Sequence, residues 1–123
     1  MNDSLYVRVG GESAIRKVAQ VLYDKIYTDE TLQHFFCGVD RMAMSNKMQG
    51  FMRIALGPDS QSETAPNLRT AHRRSVGQGL NDEHFDCVAG HILETLRELN
   101  VDESIIDEIL ALVDTTRSDV LNR

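Results

Sequence analysis

The sequence predicts an all-α domain, and three observations predict it. Apolar residues recur at helical spacing through most of its 123 residues. The breaks between those stretches carry glycine pairs, prolines or capping side chains. No segment alternates polar and apolar residues as a half-buried strand would, and no internal repeat appears.

The elements follow in order. Ser4 caps a short turn over Leu5–Val9, and Gly10-Gly11 then breaks the chain. A helix from about Glu12 to Tyr27 carries Ile15, Ala19, Leu22, Tyr23 and Ile26 on one face. Thr28 or Asp29 caps a short helix over Glu30–Phe36, which Cys37-Gly38 ends. Asp40 caps the next helix and Gly57-Pro58 stops it. Its apolar stripe is Met44, Met48, Phe51 and Ala55, flanked by Met52 and Ile54. Residues 59–64 are polar, small and without period, hence a loop. Pro66 suits the first turn of a helix running to about Val76, where its missing N–H costs nothing, and Gly77 and Gly79 end that helix. Asn81 caps a long helix through Leu99, with Phe85, Val88, Ala89, Ile92, Leu96 and Leu99 in register. Asp102 caps the last helix, whose inner face is Ile105, Ile106, Ile109, Leu110 and Val113. The two long C-terminal helices can pack as an antiparallel pair, whereas the helix of His72 is short and loosely tethered.

The length suits one domain, residues 1–123, with a real core. No run is apolar enough for a membrane span, and no signal peptide heads the chain, so the expected compartment is the cytoplasm. Cys37 and Cys87 are then reduced thiols, and they form no C-x-x-C. Nineteen acidic residues against 13 basic ones give a formal charge of −6, which argues against nucleic acid as a partner. The basic run Arg69, His72, Arg73, Arg74 is too short to reverse that balance, but it can meet carboxylates.

Two residues sit oddly. At about 100° per residue, Lys47 falls inside the apolar sector between Phe51 and Ile54, where an ammonium is costly unless paired, neutralised or bound. His72 sits similarly between Leu68 and Val76. Each has an ordinary reading: Lys47 snorkels to water, and His72 is a satisfied boundary side chain. One explanation covers both, a metal-centred cofactor held between two helices, with neutral imidazole as an axial ligand. Tyr23, on the inner face of its helix, is either a core aromatic or a hydrogen-bond donor in an apolar pocket. Phe35-Phe36 is either plain core or a stacking wall for a flat aromatic cofactor. His34 and His84 lie near helix ends and are expected in solvent, and His91 is a boundary residue. No Ser/His/Asp or Cys/His order, phosphate loop or apolar carboxylate pair stands out.

Taken together these residues resemble a known family. Leu5-Tyr6 with Gly10-Gly11, Tyr23, His34-Phe35-Phe36, Val39-Asp40, Phe51, Gly57, Leu68-Arg69 with Ala71-His72, Gly79-Leu80, His84-Phe85-Asp86 and the closing Asp119-Val120-Leu121-Asn122 are similar, in order and spacing, to the group I truncated haemoglobins of cyanobacteria, other bacteria and protists. The resemblance covers almost the whole chain. It implies a two-over-two helical sandwich enclosing haem b, iron protoporphyrin IX. His72 matches the proximal iron ligand, Tyr23 the distal tyrosine, and Phe36 the phenylalanine packed on the porphyrin. Lys47 matches a distal position that carries an iron-ligating histidine in cyanobacterial members and a ligating lysine in an algal one, so it is a candidate sixth ligand. Met44, Met48, Phe51, Leu56, Leu68, Arg69, Val76, Phe85, Val88 and Ile92 would line the pocket.

The chain also departs from the family pattern. Met44 and Met48 stand where glutamines are common, which thins the distal hydrogen-bond network. Thr115-Thr116-Arg117 replaces a region where cyanobacterial members have a histidine that can link covalently to haem, so no such link is expected. The loop before His72 is one residue longer. The implied activity is reversible binding of diatomic gases (O2, NO, CO) by a monomer, with conversion of nitric oxide to nitrate if an external reductase, unidentified here, regenerates ferrous iron. The rivals are a six-coordinate haem sensor or electron carrier, and a cofactor-free helical interaction module, which would show no Soret absorption.

Overall fold

Local rules of the chain set the element boundaries, and the computed structural model describes residues 4–57 and 68–123. The helices are α1 (Leu5–Val9), α2 (Gly11–Thr28), α3 (Arg41–Leu56), α4 (Leu68–Gly77), α5 (Asp82–Glu98), α6 (Glu103–Asp114) and α7 (Arg117–Val120), with a 3₁₀ turn over Gln33–Phe36 between α2 and α3. No strand occurs among the described residues. The expected loop at 59–64, Pro58 and Pro66 lie outside the described residues, as does the side chain of Arg69.

The predicted caps form. Ser4 Oγ accepts from the Val7 amide at 3.4 Å, and Asp40 Oδ2 from that of Ala43 at 3.0 Å. Asn81 closes a capping box: its Oδ1 accepts from the Glu83 and His84 amides, while its own amide donates to His84 Nδ1 at 3.1 Å. His84 is thus a half-buried capping residue, not the solvated side chain expected. Asp102 occupies the N-cap of α6 without a side-chain bond. Gly10 joins α1 to α2 at φ 124°, and a Cβ there would stand 2.9 Å from that of Ala14, so glycine is required twice over.

Two expectations shift. The predicted helix over Glu30–Phe36 begins only at Gln33, because Asp29 Oδ1 takes the Thr31 amide at 2.8 Å and closes a side-chain turn first. Sequence periodicity also misses α7. The Thr115 and Thr116 hydroxyls donate back to the carbonyls of Leu112 and Val113 where α6 ends, and the chain then makes one more turn.

The helices pack as two pairs, α2 with α3 and α5 with α6, joined where α2 crosses α5. This is the two-over-two sandwich that the resemblance implies. Two apolar clusters fill it. One gathers Ile15, Val18, Leu56, Leu96, Ile106 and Ile109. The other gathers Leu22, Tyr23, Ile26 and Leu32, with Tyr27, Phe36, Met44, Met48, Cys87, Val88 and Ile92 packed around them.

Candidate functional site

The phase of α3 decides which face is free. Its most buried residues are Ser45, Gln49 and Leu56, and Gln49 Nε2 meets Ser45 Oγ at 3.5 Å. The predicted stripe of Met44, Met48, Phe51 and Ala55 is one residue out of phase with them and only half-buried. Periodicity finds the most apolar face, but here the face pressed on the bundle carries two polar residues that satisfy each other. The apolar face is turned aside, as a wall for something else. Lys47 lies on that second face, and its side chain is exposed. Of the two sequence readings of Lys47, the structure has the ordinary one: the side chain reaches solvent along an apolar face.

Tyr23 is 5% exposed, and its ring meets those of Tyr27 and Phe36 edge-on, with centroids 6.2 and 6.3 Å away. Tyr27 and Phe36 touch each other at 5.2 Å. The Tyr27 hydroxyl donates to the Val39 carbonyl at 3.0 Å and the Gln33 amide donates to the Tyr27 carbonyl at 3.1 Å, so the 3₁₀ turn is pinned to the end of α2. Among the described residues no hydrogen bond engages the Tyr23 hydroxyl. Burial, and secondarily Tyr27, pushes its pKa up to about 12. It is therefore a neutral phenol at any physiological pH, always able to donate.

His72 is half-buried on α4, and its Nδ1 lies 2.9 Å from the Leu68 carbonyl one turn back. A carbonyl only accepts, so Nδ1 is the donor here, and in the neutral ring Nε2 is the nitrogen with the lone pair. This orientation through the remote ring nitrogen is the one a metal-ligating histidine uses. Leu68 and Val76 flank it, half-buried on the same helix, with Arg73 and Arg74 exposed.

Of the other predicted lining residues, Phe36, Met44, Met48, Val88 and Ile92 join Tyr23 in one cluster. Phe51 shares their half-buried face of α3. Leu56 and Phe85 are not brought there. Leu56 belongs to the Ile15–Ile106 cluster, and the Phe85 ring lies under the Arg117 guanidinium, 4.5 Å from its carbon. His91, read as a boundary side chain, places Nε2 2.6 Å from Asp29 Oδ2, tying α5 to the turn that carries Phe36. His34 and His84 instead flank Phe35, with ring centroids 3.8 and 4.8 Å from it. Both cysteines are free thiols, and burial raises the pKa of Cys87.

The donor set suits a haem better than a bare ion. Among the described residues no group of three or more His, Cys, Asp or Glu side chains could hold a metal ion. One oriented imidazole suits a metal that brings its own equatorial ligands, set in an apolar wall with a single neutral donor.

Comparison with known proteins decides the family. A family model described as bacterial-like globin matches residues 4–122. The chain belongs to the bacterial-like globins. Within them this globin is a group 1 truncated haemoglobin. It is 33% identical over 124 residues to the group 1 truncated haemoglobin GlbN of Synechocystis sp., covering 98% of this chain and 99% of that relative. Its fold superposes on the 2/2 haemoglobin of Synechococcus sp., solved in the cyanomet state with covalently attached haem, with a TM-score of 0.90 at 36% identity, covering 98% and 99% of the two chains. The THB1 protein of Chlamydomonas reinhardtii matches with a TM-score of 0.83 at 36% identity, covering 98% of each. The cofactor of this globin is haem and its general activity is haem-based ligand binding.

Proposed function

We propose that this truncated haemoglobin binds O2 and other diatomic gases at a haem that His72 would hold, with Tyr23 as the principal donor, and that it removes nitric oxide when supplied with electrons. Haem contributes an iron that takes a diatomic ligand and changes oxidation state. The chain contributes the rest. His72 Nε2 would hold the iron, its ring orientation set by the Leu68 carbonyl. Phe36, Met44, Met48, Val88 and Ile92 would exclude water, and Arg73 and Arg74 offer charge to the haem carboxylates.

The observation that carries the reading is Tyr23: a buried residue ringed by Tyr27 and Phe36, its phenol held neutral by burial and its hydroxyl in no hydrogen bond among the described residues. A neutral hydroxyl in apolar surroundings keeps its proton free to donate, and a partly negative diatomic ligand accepts it. Absorption spectra of the purified protein, ferric and ferrous, test the cofactor. NO consumption by the oxygenated ferrous protein tests the chemistry, nitrate being the expected product. A protein that binds O2 but leaves NO unconsumed is instead the sensor or carrier.

A second reading concerns Lys47, which would supply a further ligand to the haem iron. Lys47 lies on the Met44–Met48 face of α3 and has no carboxylate partner among the described residues, so its ammonium gives up only water on moving inward. Only the neutral amine can ligate, and neutralising an ordinary lysine at pH 7 costs about 4–5 kcal/mol, which the iron–nitrogen bond must offset. The ferric protein should then be low-spin near neutral pH, and Lys47→Ala should be high-spin and bind cyanide faster. Identical spectra and rates in the two proteins would leave Lys47 as a surface side chain.

A further inference from the structure

We propose that Arg117 is a positioning residue for His72: it clamps the four-residue helix α7 onto α5, and α7 is the element on which the His72 helix rests. The inference deepens the reading of His72 as the haem ligand and rests on it.

The helix that carries His72 is weakly held by its own residues. None of the described side chains of α4 is fully buried, and the element it packs against most is α7. A helix as short as α7 has no stability of its own, since nucleation costs more than one turn of bonds returns. Its position must come from outside it. Leu121, 4% exposed, supplies an apolar anchor just past its end. Arg117 supplies the rest. Nη1 meets Asp82 Oδ1 at 2.9 Å, and Nη2 meets Asp86 Oδ1 at 2.7 Å and Asp114 Oδ1 at 3.3 Å. The guanidinium also stacks over Phe85. Arg123 adds two bonds to Asp82, at 2.9 and 2.7 Å.

Two features set this apart from scattered surface pairs. Arg117 is the first residue of α7, and the carboxylates of α5 and α6 converge on it there. Its planar fork spans two carboxylates one turn apart on α5 while lying flat on an aromatic face, a combination lysine cannot reproduce. The load path runs from the α5 carboxylates through Arg117 to α7, then to α4 and His72.

The experiment uses the haem-loaded ferric protein and compares the native chain with Arg117→Ala, Arg117→Lys and Asp86→Asn. Three quantities are read: the rate of haem transfer to an excess of scavenging apoprotein, amide deuterium exchange resolved by helix, and the paramagnetically shifted ring protons of His72 in the cyanide form. Arg117→Ala should lose haem about tenfold faster. It should exchange faster in α4 and α7 but not in α2 or α6, and shift the His72 protons. Arg117→Lys should fall between the two. If Arg117→Ala does not fold, Arg117→Lys and Asp86→Asn decide by the same readouts. Haem loss within twofold of native, unmoved His72 protons, or faster exchange spread evenly over all helices overturns the proposal. His72→Ala is the separate control: normal haem retention there overturns the ligand assignment, whereas exchange in α4 still reports whether the clamp exists.

Discussion

Tyr23 and His72 do opposite things with one proton each. Burial pushes the Tyr23 pKa up to about 12, so near neutral pH the group is a neutral donor. The Leu68 carbonyl selects the His72 tautomer with its proton on Nδ1, which turns the lone pair of the neutral ring to Nε2. A donor to a partly charged ligand is worth about 1.5–3 kcal/mol, and removing it leaves the apolar wall intact. Tyr23→Phe should therefore raise the O2 dissociation rate about tenfold or more, measured by stopped-flow displacement with CO. An unchanged rate would assign the donor role to another group. His72→Ala should fail to retain haem where His84→Ala and His91→Ala retain it, because His84 caps α5 and His91 is tied to Asp29. Gel filtration followed by Soret absorbance distinguishes them.

At the scale of elements, ionic ties hold helices whose apolar contacts alone leave them free to slide. Glu12, in the first turn of α2, accepts from the Arg53 guanidinium of α3 and from the Tyr6 hydroxyl of α1. The Arg53 bonds, then the Tyr6 bond, hold its carboxyl down at about 2. A carboxyl whose pKa falls on folding stabilises fully above its unfolded value, about 4.3, and loses that contribution as pH drops through the folded value. The melting temperature of the native chain should accordingly exceed that of Glu12→Gln at neutral pH. The gap should narrow between pH about 4 and 2 and close below. Melting curves of both proteins across that range check the sign. A gap that persists at the acid end would mean that Glu12 acts through packing and not charge.

For the molecule as a whole, the two clusters differ in kind. The Ile15–Ile106 cluster is built from buried side chains of α2, α3, α5 and α6, with residues of α1 packed against them. The Tyr23 cluster is ringed by half-buried side chains on α3 and α5, and α4 has no fully buried side chain among those described. A ligand bound only by the folded state stabilises it in proportion to the logarithm of its saturation, about 4 kcal/mol at a thousand times Kd. Removing haem should therefore lower the melting temperature by many degrees. It should also speed amide exchange mainly in α3 and α4, with α2 and α6 still protected. Uniform loss of protection would show instead that haem organises the entire fold.

The sequence by itself determined the long helices, the Ser4, Asp40 and Asn81 caps and the family to which the chain belongs. Those depend on neighbours three or four residues apart: the Asp40 and Asn81 caps, the Tyr23 face of α2, and the His72–Leu68 spacing that becomes a ring-to-carbonyl bond. Tertiary structure alone decided the rest. Periodicity read the apolar face of α3 as the buried one, whereas packing against α2 buried Ser45 and Gln49 and left Lys47 in solvent. Leu56 and Phe85 were apolar at helical spacing and suited a pocket, yet one joined the other core and one lies beneath Arg117. The His91–Asp29 bond and the bonds of Arg117 to Asp82 and Asp86 join residues 31 to 62 apart along the chain. No local pattern records such pairs. They exist because the helices meet, and the free energy of meeting comes from apolar faces that specify contact without specifying which charged groups end up side by side.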